Sequence, residues 1–114
     1  MALDKLQITT SKDSHGNTIL ALTGPLSIHT VFSFQDAVRS EPSPILIVDF
    51  SGVPFIDSAG LGALVGVQVT GRKANRKIAF AAMNEQARAL IEMTHVNQLF
   101  HTYDTVQDAE AAVA

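Results

Sequence analysis

The feature that most constrains this chain is the stretch Ile45–Phe50 (ILIVDF) followed by Ser58–Gly71, fourteen residues without one charged side chain. Ile45–Phe50 is nearly all apolar and does not alternate, the pattern of a strand covered on both faces, as in a parallel sheet. A sheet covered on both faces needs helices, and the rest of the chain offers them. Leu6–Lys12 and Thr18–Gly24 read as strands joined through Asp13-Ser14-His15-Gly16-Asn17, a run of turn formers, and so as a hairpin. Gly24-Pro25 breaks the chain, and Val31, Phe34, Ala37 and Val38 then recur at helical spacing, which predicts a helix from about Ser27 to Ser40. Prolines at 42 and 44 stop it. A second helix is expected from about Asp57-Ser58 to Lys73. Lys77–Met83 is expected as a second buried strand and Glu85–Met93 as a third helix with Ala87, Leu90 and Ile91 on one face. Leu99–Tyr103 reads as a short edge strand and Val106–Val113 as an amphipathic helix. The order favours an α/β fold: a mixed, mostly parallel sheet with packed helices, in a single domain spanning residues 1–114. A chain of 114 residues buries about two-thirds of its unfolded surface on folding, enough for its own core.

Composition excludes several functions. With no cysteine there is no disulfide scaffold, thiolate metal site or cysteine nucleophile. No pair of histidines or carboxylates stands at a spacing that suggests a metal, and no cofactor is expected. The N-terminal stretch carries Asp4, Lys5, Lys12 and Asp13 and has no apolar h-region, so it does not read as a signal peptide. The charge-free run is too short to span a bilayer, and a cytoplasmic, soluble protein is expected. Eight Lys and Arg against eleven Asp and Glu give a net charge of −3, so direct binding of nucleic acid is not expected.

Enzyme signatures fit poorly. Ile56-Asp57-Ser58-Ala59-Gly60 has the shape of a nucleophile elbow but puts Ile56 where the sharp turn needs a small residue. His29, His95 or His101 meeting Ser58 would make a small serine-dependent hydrolase, a weak third hypothesis. Gly66 to Lys73 resembles a phosphate loop, yet has Arg72 in place of the lysine and lies at a helix end. The chain is expected not to be an enzyme. Arg72-Lys73-Ala74-Asn75-Arg76-Lys77 holds four cations in six residues. Its simplest role is to complement a helix C-terminus, with Asn75 suited to the cap. The other role is a patch for an acidic partner.

The second helix is more informative. Asp57 and Ser58 are both good N-cap residues. The helix carries Gly60, Gly62, Gly66 and Gly71, each costing about 1 kcal/mol relative to alanine. Leu61, Leu64, Val65 and Val69 can face the sheet. Ala59, Gly60, Gly62, Ala63, Gly66 and Val67 then form a small, apolar face where charges would be expected, a surface for close approach by a partner. A neighbouring helix covering that face is the plainer alternative.

The segment Ile45-Leu-Ile-Val-Asp-Phe-Ser-Gly-Val-Pro-Phe-Ile-Asp-Ser-Ala-Gly-Leu-Gly62 closely resembles the signature of STAS domains, among them the bacterial anti-sigma-factor antagonists. The likeness extends over nearly the whole chain in length and element order. It implies that Ser58 is the phosphoacceptor of a serine kinase that is also the anti-sigma factor. Asp57, Ala59, Gly60, Leu61, Gly62 and Gly66 would form the partner-binding surface. Unphosphorylated protein would bind this partner and free a sigma factor, so regulating transcription; phosphorylation would release it until a phosphatase resets the switch. Where many antagonists carry an acidic residue after the leucine that follows the second strand, this chain has Ser27 after Leu26. The alternative from another class is a STAS subunit of a stress-signalling, biofilm or lipid-transport complex, with Ser58 acting only as a helix cap.

Overall fold

The computed structural model describes residues 5–113; Asp4, counted above among the N-terminal charges, lies outside them. Five strands form one sheet in the order β1-β2-β3-β4-β5: β1 (Gln7–Lys12), β2 (Thr18–Thr23), β3 (Ile45–Gly52), β4 (Lys77–Ala81) and β5 (His101–Tyr103). The first pair is antiparallel, from Gln7 opposite Thr23 to Lys12 opposite Thr18. The other three pairings are parallel. The hairpin turn is organised by Asp13, whose Oδ1 accepts the N–H groups of His15 and Asn17, both at 2.8 Å, with Gly16 at φ +81°.

The helices are α1 (Val31–Ser40), α2 (Ser58–Lys73), α3 (Glu85–Met93) and α4 (Val106–Val113). The strand order explains where they lie. Parallel crossovers are right-handed, so a sheet that grows always in one direction puts all its crossover helices on one face. Leu20, Leu22, Leu46, Val48, Phe50, Ile78 and Phe80 from the sheet pack there with Phe34, Leu64, Ala87 and Ile91 from α1, α2 and α3. Phe80 joins Phe50 edge-on at 5.5 Å and Phe100 at 5.3 Å between ring centroids. The opposite face is covered by α4: Ile47, Ala79 and Ala81 pack with Ala109 and Val113. Burial on both sides of β3 and β4 is the reason Ile45–Phe50 lacks alternation.

Several boundaries differ from the sequence reading. The first helix begins at Val31, not Ser27, because Ser27–Thr30 form a turn: the Thr30 hydroxyl accepts from the Ser27 N–H at 2.9 Å and donates to the Pro25 carbonyl at 2.8 Å. The strand expected to reach Met83 stops at Ala81: Ala82 turns to φ +62°, its N–H making a last bond to the Tyr103 carbonyl at 3.0 Å. Leu99 belongs to a single 3-10 turn, Asn97–Leu99, ahead of β5. The α2 C-cap is Ala74, and Asn75 follows it in the left-handed region at φ +59°.

The two faces of α2 also need correcting. Gly60, Ala63 and Val67 point inward, whereas Val69, expected toward the sheet, is exposed. Gly60 is covered by Leu26 and Ile56, and α1 packs against α2. Gln68 is the polar residue in this interior, with its Oε1 unpartnered among the described residues. Gly62 and Gly66 remain on the outside.

Candidate functional site

The carboxyl ends of β2 and β3 continue side by side beyond the sheet. The Gly24 N–H donates to the Gly52 carbonyl at 2.9 Å, Leu26 to Phe55 at 3.0 Å, and Asp57 back to Leu26 at 3.2 Å, with Leu26 and Ile56 in a parallel bridge. Gly52 is required by this approach: a Cβ there would lie 2.7 Å from the Leu22 carbonyl oxygen. The two loops thus deliver Ile28 and Asp57 to one place.

Asp57 is the N-cap of α2, and its carboxylate holds two elements at once. Oδ1 accepts the Gly60 N–H at 2.8 Å, and Oδ2 accepts the Ile28 N–H from the α1 loop at 3.1 Å. From the other side, α3 grips the same loop. The Gln86 side chain accepts the Ile56 N–H at 3.0 Å and donates to the Ile56 carbonyl at 2.8 Å. Asn84 donates to the Pro54 carbonyl at 3.0 Å while its Oδ1 caps α3 through the Ala87 N–H at 2.9 Å.

Ser58 is the first residue of α2 and is exposed, and its hydroxyl has no hydrogen-bond partner among the described residues. It is therefore not the helix cap; that part of the alternative reading fails because Asp57 supplies the cap oxygen. No histidine is hydrogen-bonded to Ser58 among the described residues. Neither Asp57 nor Ser58 is paired with a lysine or arginine among the described residues.

The residues assigned to the partner surface divide. Gly62 and Gly66 are exposed, and a Cβ built on either meets nothing within 4 Å. Ala59 is half-buried. Gly60 and Leu61 are buried: a Cβ on Gly60 would lie 2.3 Å from the Leu26 carbonyl oxygen and 2.9 Å from Ile56 Cγ2. Ser27, at the position of the acidic residue, is also buried, its hydroxyl accepting the His29 N–H at 3.3 Å. Sequence reasoning missed Ile28, Phe32 and Phe55, which are 60%, 74% and 46% exposed on the segments that meet at Asp57. Phe32 falls outside the stripe Val31, Phe34, Val38, and that phase was its signal. Gln86 and Asn84 gave no such signal.

A five-stranded mixed sheet with three helices on one face, one on the other and a capped helix at its carboxyl edge defines the class. The model of the STAS domain family matches residues 8–109, and the chain belongs to that family. Among solved structures it is similar to an anti-sigma factor antagonist from Mycobacterium paratuberculosis, with a TM-score of 0.81 at 22% identity over 96% of this chain and 95% of the other. It is also similar to the phosphorylated form of the Bacillus cell fate determinant SpoIIAA, with a TM-score of 0.71 at 15% identity over 95% of this chain and 100% of the other. The murine anion transporter Slc26a9 gives a TM-score of 0.72 at 19% identity, over 94% of this chain but 22% of the transporter. Identities this low establish the shared fold. Among the described residues, no helix is long and apolar enough to cross a membrane.

Proposed function

We propose that this protein is a non-enzymatic, cytoplasmic partner switch of the anti-sigma-factor-antagonist type. It binds a serine kinase that is also an anti-sigma factor while Ser58 is unphosphorylated, lets go when Ser58 is phosphorylated, and is reset by a phosphatase. The observation that carries the reading is the setting of Ser58: an exposed hydroxyl, unpartnered among the described residues, at the first position of a helix, on a loop clamped from both sides. A clamped loop presents the hydroxyl in one geometry, which a kinase needs. Gly62 allows a partner backbone to approach α2, and Ile28, Phe32 and Phe55 give it apolar surface to bury.

Phosphorylation adds about −1.5 to −2 charges at pH 7. The positive end of α2 tolerates that charge, so the domain stays folded. A partner pressed against this face must instead desolvate the phosphate beside Asp57, at a cost of several kcal/mol unless it supplies a cation. Each 1.4 kcal/mol is about tenfold in affinity, so binding falls by about 100-fold or more.

The test is calorimetry with the kinase/anti-sigma factor that co-purifies with the native chain, using wild type, Ser58→Ala, Ser58→Asp and phosphoprotein. Wild type and Ser58→Ala bind alike, Ser58→Asp binds more weakly, and phosphoprotein most weakly. Equal affinity in all four sinks the switch. The likeness to the transporter domain favours the second reading, a STAS subunit of a larger complex, and that equality is its expected result.

A further inference from the structure

At the far end of α2 a groove of about 470 Å³ opens between the C-terminal halves of α1 and α2. Its volume falls within the range of about 300–1,000 Å³ typical of small-molecule sites. The lining is mixed: Val38 and Pro42 on one side and Val67 on the other are apolar, while Arg39, Arg76 and Glu41 are charged.

Two features suggest a built site. The first is Gly66. Glycine is a poor mid-helix residue, and packing does not demand one here, since a Cβ at this position meets nothing. Gly71 is different: a Cβ there would lie 2.8 Å from Ile78 Cδ1. What the absent side chain of Gly66 leaves is the room of the groove.

The second is the pair of guanidinium groups. Arg76 is fixed by three carbonyls, donating from Nε to Ser43 at 3.1 Å, from Nη1 to Val38 at 3.0 Å and from Nη2 to Glu41 at 2.8 Å. Two of its five N–H donors then remain without a partner among the described residues. The carbonyls of Val38 and Glu41 belong to the end of α1, so Arg76 also masks the negative end of that helix, which would otherwise repel an anion. Arg39 is paired with exposed Asp36 at 2.8 Å, a surface contact readily exchanged for another anion. The one carboxylate among the lining residues, Glu41, receives the Thr18 hydroxyl, the Ser43 N–H and Lys12 on its Oε1. Six of the eight lysines and arginines (Lys12, Arg39, Arg72, Lys73, Arg76 and Lys77) lie at this end of the sheet.

We propose that the α1–α2 groove binds a small amphipathic anion, its phosphate or sulfonate held by Arg76 and Arg39 and its ring or short alkyl body packed on Val38, Pro42 and Val67. The site is separate from Ser58 and does not rest on the reading of that residue. The competing account is that the cations only cap helix ends.

The test is an amide NMR titration of the full chain with phenyl phosphate, with inorganic phosphate, and with phosphatidylglycerol–phosphatidylcholine vesicles. Phenyl phosphate shifts the amides of Gly66, Val67 and Gly71 in a saturable way, and inorganic phosphate binds the same residues about tenfold or more weakly. Gly66→Leu, which fills the groove, weakens phenyl phosphate by about tenfold or more, and Gly66→Ala by less. Arg39→Gln weakens it by about threefold or more. Val69→Ala, a change on the exposed side of the same helix and outside the groove, binds as wild type does. A dispersed spectrum checks that each variant is folded. Vesicle binding that shifts the groove amides and is lost in Gly66→Leu identifies a lipid headgroup as a source of the anion. The proposal is overturned if phenyl phosphate gives no saturable shift in the groove or if folded Gly66→Leu binds like wild type.

Discussion

The two ends of α2 present opposite surfaces. The N-terminal end shows a hydroxyl, one carboxylate already engaged, and a collar of Ile28, Phe32 and Phe55. The C-terminal end shows Arg72, Lys73 and Arg76 beside Lys77 and the groove. Between Asp57 and Arg72 the helix carries no charge. Its four glycines likewise fall into two kinds: Gly60 and Gly71 lie where a Cβ would collide, Gly62 and Gly66 where it would meet nothing. Residue type alone therefore does not define a role on this helix. The same glycine is a packing necessity on one face and open surface on the other, and cations that cap a neighbouring helix at one end are absent from the end where a phosphate would be added.

The sharpest way to break this comparison is at the glycines. Gly60→Ala drives its Cβ into a backbone carbonyl that cannot step aside, and should cost about 2–3 kcal/mol in urea denaturation. Gly62→Ala should instead gain about 0.5–1 kcal/mol, from helix propensity alone. Equal effects would mean that the two faces are not distinct.

Arg76→Ala tests the cationic end. It strips three carbonyls of a charged donor and should lower stability by about 2 kcal/mol, with the larger loss of amide protection at the end of α1. An unchanged midpoint would show that water replaces the guanidinium at no cost. Asp57→Ala tests the other end. Losing an N-cap costs about 1 kcal/mol, and here the Ile28 tether goes with it, so exchange of the Ile28 amide should rise together with that of Gly60. Exchange rising at Gly60 alone would mean that the carboxylate does not hold the α1 loop.

The smallest effect concerns the hairpin turn. Desolvation of Asp13 raises its pKa, but the N–H groups of Asn17 and His15, the Asn17 side chain and the charge of His15 together outweigh it, and the pKa lies below the ordinary carboxylate value. A lowered folded pKa favours the folded form at pH above the unfolded carboxylate pKa, and that contribution is lost as pH falls through the folded value. An NMR titration should find the turn amides of His15 and Asn17 losing protection only in that acid range, and Asp13→Asn should remove the dependence.

Much of the fold was legible because burial leaves a pattern. Ile45–Phe50 announced a strand covered on both faces, and α3 and α4 were readable to the residue from their apolar stripes. The faces of α2 were not, because from Ser58 to Gly71 no charged side chain marks its outside and small apolar residues satisfy either orientation. The left-handed backbone of Ala82 has no local sign in the sequence. At the site, residue type left Asp57 and Ser58 both able to cap α2; the cap is Asp57, whose second bond reaches a residue 29 positions away, and Gln86 clamps Ile56 across 30. Such contacts exist only once the sheet has brought the loops together.

The sequential order of the strands has a consequence in time. Each strand docks beside the one made just before it, so the parallel part of the sheet can grow by accretion as the chain leaves the ribosome, N-terminal units first. Ser58 is synthesised well before Gln86 and Asn84, the side chains that fix the loop in front of it. A nascent or truncated chain ending before α3 carries the hydroxyl but not its rigid presentation. An enzyme that recognises the clamped loop would therefore act on finished molecules and pass over incomplete ones.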